Sequence, residues 1–179
     1  GQSWRALLDR VQRVVSAYHE ANPLRMGIPR EELKSRVHVE GRLFGTVIAR
    51  AAAEGVLEDL GPRLRLPGHR VNLNARQHSD VETLLSSFRA APYSTPSVKE
   101  CIAAIGEELV HYLVESGQLV QLSADVLLES TVFTKAVDQI RAAILASGSI
   151  TVAEVRDLFG TSRKYALAMM EYLDATGLT

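Results

Sequence analysis

The sequence predicts a mainly α-helical chain with small β-hairpins, in which one order of elements, three helices and then a hairpin, recurs along the chain. Three observations carry this reading. Apolar residues fall three and four apart in stretches long enough for helices; the period switches to strand-like alternation near residues 56–66 and 118–128; and the glycines that close the third helix of each round, Gly55, Gly117 and Gly177, lie 62 and 60 residues apart.

Trp4, Leu7, Leu8, Val11, Val14, Val15 and Tyr18 share one face of a helix over about 4–20, which Asn22-Pro23 stops. Pro29 is placed to open the next helix, since the first helical position has no use for an N–H, and Arg30-Glu31-Glu32-Leu33 continues it. A third helix follows Gly41, buries Leu43, Phe44, Val47, Ile48 and Ala51, and ends at Gly55 in a left-handed cap. Val56–Leu60, a Gly61-Pro62 turn and Arg63-Leu64-Arg65-Leu66 then read as a hairpin with arginines outward and leucines inward.

The second round has a helix over 81–91 (Val81, Leu84, Leu85, Phe88) broken by Pro92 and Pro96, helices over 97–105 and about 107–116, and a hairpin of 118–122 with 126–128. The third begins at Val132 with Phe133, Ala136, Val137, Ile140 and Ile144 on one face, stops at Ser147-Gly148, and adds a short helix Val152–Phe159. Thr161 or Ser162 caps a last helix through Leu167, Met170 and Leu173. This is the element order of three tandem winged helices (helix-turn-helix plus wing), expected over residues 1–76, 77–131 and 132–179, the third without its wing.

Charge divides along the same lines. Net charge is −1, but residues 1–76 carry +5, residues 77–134 carry −6 and residues 135–179 carry 0. A polybasic tail and a disordered composition are excluded. The single cysteine, Cys101, excludes an internal disulfide framework and a multi-cysteine zinc site, and reads as a small buried hydrophobe. The five histidines, His19, His38, His69, His78 and His111, have no metal-ligand spacing, and Glu31-Glu32 and Glu107-Glu108 read as first-turn carboxylates on helix dipoles. No catalytic constellation and no cofactor is expected for this chain. With no signal peptide or membrane-spanning stretch, the expected setting is cytoplasmic, as a monomer, and the start at Gly1 reads as a cut or tag remnant of a longer chain.

Phe159-Gly160-Thr161-Ser162-Arg163-Lys164-Tyr165-Ala166, with Glu171-Tyr172-Leu173-Asp174 and Gly177-Leu178-Thr179, resembles the last winged-helix domain of the bacterial selenocysteine-specific elongation factor family. Asn22-Pro23-Leu24-Arg25-Met26-Gly27-Ile28-Pro29-Arg30-Glu31-Glu32-Leu33 is similar to the stretch before that family's own helix-turn-helix, and Leu66-Pro67-Gly68-His69 to its wing exit. The resemblance implies tandem winged helices at the end of a translation GTPase. Its N-terminal part carries GTP and selenocysteyl-tRNA, and its last winged helix grips an mRNA hairpin that recodes UGA at the ribosome. This sequence has no GxxxxGK[ST] phosphate loop, so GTP and tRNA are expected only through domains outside it. The basic wing of the family pattern does not follow Gly177 within it.

Recognition of an RNA hairpin needs cations for phosphates and a surface for loop or bulge bases. A helix start supplies N–H groups and a positive dipole end. Arg163 and Lys164 are therefore the expected phosphate contacts and Ser162 a cap that doubles as a phosphate ligand. Tyr165 stands between two roles, stacking on an extruded base and completing the core. Electrostatics points instead to the first hairpin, where Arg63, Arg65 and Arg70, with Arg42 and Arg50 near the third helix, form a second candidate nucleic-acid contact or else pair with Glu31, Glu32, Glu58 and Asp59. The acidic middle round reads as a spacer. Two rival readings are a DNA-binding transcriptional regulator and a tandem winged-helix interaction module of a chromosome-condensation complex.

Overall fold

The computed structural model describes residues 2–178; Gly1 and Thr179, the ends on which the cut-or-tag reading and the last residue of the closing motif fall, lie outside the described residues. The chain forms two compact units, Gly1–Asn72 and Leu73–Thr179.

The first unit runs α1 (Gln2–Ala21), β1 (Ile28–Pro29), α2 (Arg30–Val37), α3 (Gly41–Ala53), β2 (Glu58–Asp59) and β3 (Arg63–Arg65). The helical periodicity closes on one core: Val11, Val15 and Tyr18 of α1, Leu33 and Val37 of α2, and Phe44, Ile48 and Ala51 of α3 meet Ile28, Leu57 and Leu64. β3 is the central strand of an antiparallel sheet in the order β1-β3-β2, with Ile28 opposite Leu64 and Glu58 opposite Arg65. β1 departs from the sequence reading. Pro29 does not open α2 but pairs with Arg63 as an edge-strand residue and occupies the cap position before Arg30. Its missing N–H costs nothing at a sheet edge. Gly27 makes the approach possible, because a Cβ there would stand 2.5 Å from the Leu64 carbonyl oxygen.

The glycine spacing marks a repeated helix ending. Gly55, Gly117 and Gly177 adopt φ of 72°, 79° and 66°. In each case the next residue's N–H returns to a carbonyl five residues back: Val56 to Ala51 at 2.9 Å, Gln118 to Leu113 at 3.0 Å and Leu178 to Leu173 at 3.2 Å.

The second unit runs α4 (Ala75–Ala90), α5 (Val98–Ile105), α6 (Glu107–Glu115), β4 (Leu119–Gln121), β5 (Leu127–Glu129), α7 (Ser130–Ser147), α8 (Val152–Phe159) and α9 (Arg163–Thr176). α4 starts well before the expected residue 81, because Asn74 and Gln77 form a reciprocal capping box with bonds of 2.8 and 2.9 Å. The β4–β5 hairpin joins the two helix sets. Val126 and Leu128, with Leu122, enter the core built by Phe133, Ala136, Val137 and Ile140 of α7, Val155 of α8 and Ala166, Met169 and Leu173 of α9. Leu127, on the alternate face of β5, is fully buried as well. Burial of both faces explains why 126–128 is an uninterrupted apolar run where a one-sided hairpin alternates. The third helix set carries no hairpin among the described residues; Leu178 follows Gly177, and its carbonyl accepts from Nε and Nη2 of Arg141 at 3.0 and 2.5 Å.

Candidate nucleic-acid interface

Helix starts in the second unit are of two kinds: α4, α5 and α8 carry side-chain caps, whereas α6, α7 and α9 do not. Asn74, Ser97 and Thr151 cap α4, α5 and α8 in reciprocal boxes with Gln77, Glu100 and Glu154. Ser162 holds the cap position of α9 with extended backbone, φ −89° and ψ 164°, yet its side chain makes no cap hydrogen bond. The box needs a carboxylate or amide at the third helical position, and here that residue is Tyr165. The tyrosine hydroxyl donates to the Thr95 carbonyl at 2.5 Å, and the half-buried ring packs against the α7–α9 core. One residue before the cap, Thr161 Oγ1 donates to the Tyr93 carbonyl at 2.5 Å, and the Tyr93 ring lies 4.6 Å from that of Phe159. These contacts fix the first turn of α9 onto the segment between α4 and α5.

The two cations then diverge. Arg163 is exposed and makes no hydrogen bond or ion pair among the described residues. Lys164 is half-exposed; its ammonium pairs with the Asp125 carboxylate in the β4–β5 turn and lies 5.6 Å from the Tyr165 ring centroid. The hydrogen bond that its ammonium donates to Asp125 holds Lys164 above the usual lysine range. The structure thus brings Ser162, Arg163 and Lys164 to one uncapped helix start, and gives Tyr165 packing and hydrogen-bonding duties beneath it.

The arginines of the first hairpin are engaged within their own unit. Arg65 pairs with Glu58 directly across the β2–β3 ladder, its side chain only 16% exposed. Arg70 lies 3.7 Å from the same carboxylate and donates to the His69 carbonyl at 2.7 Å. Arg63 donates to the Gly27 carbonyl at 2.9 Å. Nearby, Arg30 binds Asp59 at 2.5 Å, and its hydrogen bond holds that carboxyl below the usual range. On α3, Arg50 pairs with Glu54 at 2.9 Å and stacks 4.2 Å over Trp4, whereas exposed Arg42 makes no such contact among the described residues.

Packing also joins two histidines of the first unit. His19 and His69 stack face to face with ring centroids 3.6 Å apart. His19 Nε2 accepts the Leu66 N–H at 3.1 Å, while His69 Nε2 donates to the Arg25 carbonyl at 3.0 Å, so the pair fastens the hairpin exit to α1. Burial, then His69 and Arg65, push His19 down to about 4. Nothing in the spacing of two histidines 50 residues apart announces this contact. Burial pushes the Cys101 thiol up to about 11, which leaves it an unreactive apolar residue. Among the described residues no group of three or more His, Cys, Asp or Glu is arranged to hold a metal, and no helix is long and apolar enough to cross a membrane.

Comparison with known proteins bears on the whole chain. Two family models described as "Elongation factor SelB, winged helix" match residues 12–66 and 142–179. The selenocysteine-specific elongation factor of Desulfomicrobium baculatum is 27% identical over 171 residues, covering 90% of this chain and 27% of the relative. That of Haemophilus influenzae is 24% identical over 181 residues, covering 94% of this chain and 29% of the relative. The chain therefore spans little more than a quarter of the length of these relatives. A crystal structure of a bacterial selenocysteine-specific elongation factor superposes with a TM-score of 0.50 at 12% identity, over 97% of this chain and 28% of that one, a likeness of fold.

Proposed function

The chain belongs to the selenocysteine-specific elongation factor family, SelB, as a run of its winged-helix domains, and from that premise we propose that it binds an RNA hairpin at the start of α9. One observation carries the choice of site. Within the segment matched to the SelB winged helix, an exposed arginine without a partner among the described residues, Arg163, stands on a helix start whose cap side chain is unused. A phosphate there meets unpaired N–H groups, the positive end of a 14-residue helix, the Ser162 hydroxyl and the Arg163 guanidinium together. Lys164 supplies a second cation once it leaves Asp125.

The function is binding and tethering. The hairpin is a messenger element directing selenocysteine to UGA, and fixing it raises the effective concentration of attached domains at the ribosome. GTP and selenocysteyl-tRNA belong to those domains, outside this chain. The first unit is a second, weaker candidate contact, through Arg42 rather than through its paired hairpin arginines Arg63, Arg65 and Arg70.

A gel-shift titration against a selenocysteine-insertion hairpin, its loop-scrambled version and a DNA duplex tests the reading. The hairpin is expected to bind tightest. Arg163→Ala is expected to weaken hairpin binding about three- to tenfold and to lower the log–log salt slope by about 0.7–0.9, one phosphate contact's worth. Equal binding of both RNAs, preference for the duplex, or an unchanged slope overturns it.

A further inference from the structure

We propose that Asp125 is an internal counter-ion of the RNA-binding end of α9: its carboxylate sits on Lys164 where an RNA phosphate would sit, and so sets the affinity and salt response of the site. The proposal rests on the RNA reading above and adds to it a residue from the middle helix set, which by its charge has no part in binding RNA.

The backbone holds the carboxylate in place. Asp125 lies in the β4–β5 turn, where its N–H and that of Val126 both donate to Ser123 Oγ, at 3.3 and 3.1 Å, and its carbonyl accepts the Val98 N–H at 3.1 Å. The start of α9 is pinned to the same body by the bonds from Thr161 to Tyr93 and from Tyr165 to Thr95. Lys164 and Asp125 therefore meet because two anchored segments meet, and not through a chance crossing of long side chains. Glu100 of α5, two positions after Val98, adds to the negative field at Lys164. Both partners are nevertheless half in water, at 50% and 52% side-chain exposure. An ion pair so exposed holds loosely and exchanges readily for a phosphate.

That exchange leaves Asp125 facing the phosphate as a like charge. Any polyanion meets this repulsion. The carboxylate thus lowers affinity for every RNA that reaches Lys164 and leaves the ratio between a matched hairpin and an unmatched one unchanged. Arg163, one residue earlier, has no such partner among the described residues, so the two cations of the site contribute unequally.

The test is Asp125→Asn in the full chain, titrated with the hairpin and its loop-scrambled version across a salt series. Both RNAs are expected to bind at least about threefold more tightly at low salt, the ratio between them to stay unchanged, and the log–log slope to steepen by somewhat less than about one as Lys164 becomes a full phosphate contact. Asp125→Ser, which keeps a turn-forming side chain, is expected to do the same. Unchanged or weaker hairpin binding by either neutral variant, at an unfolding temperature equal to the parent's, overturns the proposal. If both variants unfold early, Lys164→Gln decides: it should lower hairpin affinity less than Arg163→Ala does, and an equal or greater loss overturns the proposal. A parent chain that does not prefer the hairpin fails the RNA reading itself, whereas a parent that prefers it while both neutral variants bind no tighter fails only the role of Asp125.

Discussion

The first hairpin and the start of α9 both carry clustered cations, and they differ in how far neighbouring groups engage those cations. The hairpin has three arginines within eight residues in the +5 part of the chain, and the helix start has two cations in the neutral part. In the folded hairpin, however, register places Glu58 opposite Arg65, brings Arg70 to the same carboxylate and turns Arg63 onto a backbone carbonyl. A helix start has no facing strand to supply carboxylates, so Arg163 points into solvent and Lys164 finds a partner only through tertiary packing. Potential at a surface depends on what remains unpaired, and antiparallel pairing is an efficient way of neutralising alternate charges.

The largest effect that sharpens this contrast is acid lability confined to the first unit. His19 has a folded pKa of about 4 against 6.5 in the unfolded chain, so the folded state keeps it neutral. Above pH 6.5 neither state binds the proton and stability is complete. Between 6.5 and about 4 the unfolded state takes up a proton that the folded state refuses, and stability falls. Allowing for partial exposure, the loss is on the order of 1–2 kcal/mol. Trp4, the chain's single tryptophan, lies in α1 and reports on this unit alone. Urea unfolding followed by its fluorescence at pH 7 and pH 4.5 should show the drop, and His19→Gln should abolish most of the pH dependence. A midpoint independent of pH would remove the histidine stack from any stabilising role.

Next in size is Arg65→Ala. With 16% exposure and a cross-strand carboxylate, its loss should destabilise the first unit by about 1 kcal/mol by the same fluorescence measurement and leave hairpin-RNA affinity unchanged. Arg163→Ala should do the reverse, weakening RNA binding at constant stability. A stable Arg65→Ala chain with weakened RNA binding would exchange the roles of the two regions.

What could be read from residue order and what could not divides by range. The helices of both units, the two hairpins and the glycine-marked endings follow from periodicities of 3.6 and 2 and from the left-handed preference of glycine, all interactions within a few residues. The early start of α4 was also present in the sequence, as Asn74-x-x-Gln77, a signal masked by the polarity of residues 75–80. β1 is too short to show a period and contains a proline, so only its partner Leu64 defines it. At the site, Arg163 and Lys164 were recognisable from a family motif. Their environments were not, because Asp125, Tyr93 and Thr95 lie 39 to 70 residues away from their partners and arrive there by packing of the β4–β5 hairpin against α7–α9.

The smallest effect separates a cap from a ligand. If Ser162 served α9 as Thr151 serves α8, its replacement by alanine would cost about 1 kcal/mol, the usual value for a lost cap bond. Its side chain makes no such bond, whereas Thr151 Oγ1 accepts the Glu154 N–H at 3.2 Å and Glu154 returns to the Thr151 N–H at 2.6 Å. Thr151→Ala should therefore destabilise the second unit by about 1 kcal/mol and spare RNA affinity. Ser162→Ala should change stability by less than about 0.5 kcal/mol and weaken hairpin binding about twofold, through a hydroxyl that is free to meet a phosphate. Circular dichroism melts and gel shifts on the two variants decide between these patterns. A destabilised Ser162→Ala chain with unaltered RNA affinity would return the serine to capping and leave the interface to Arg163 and Lys164.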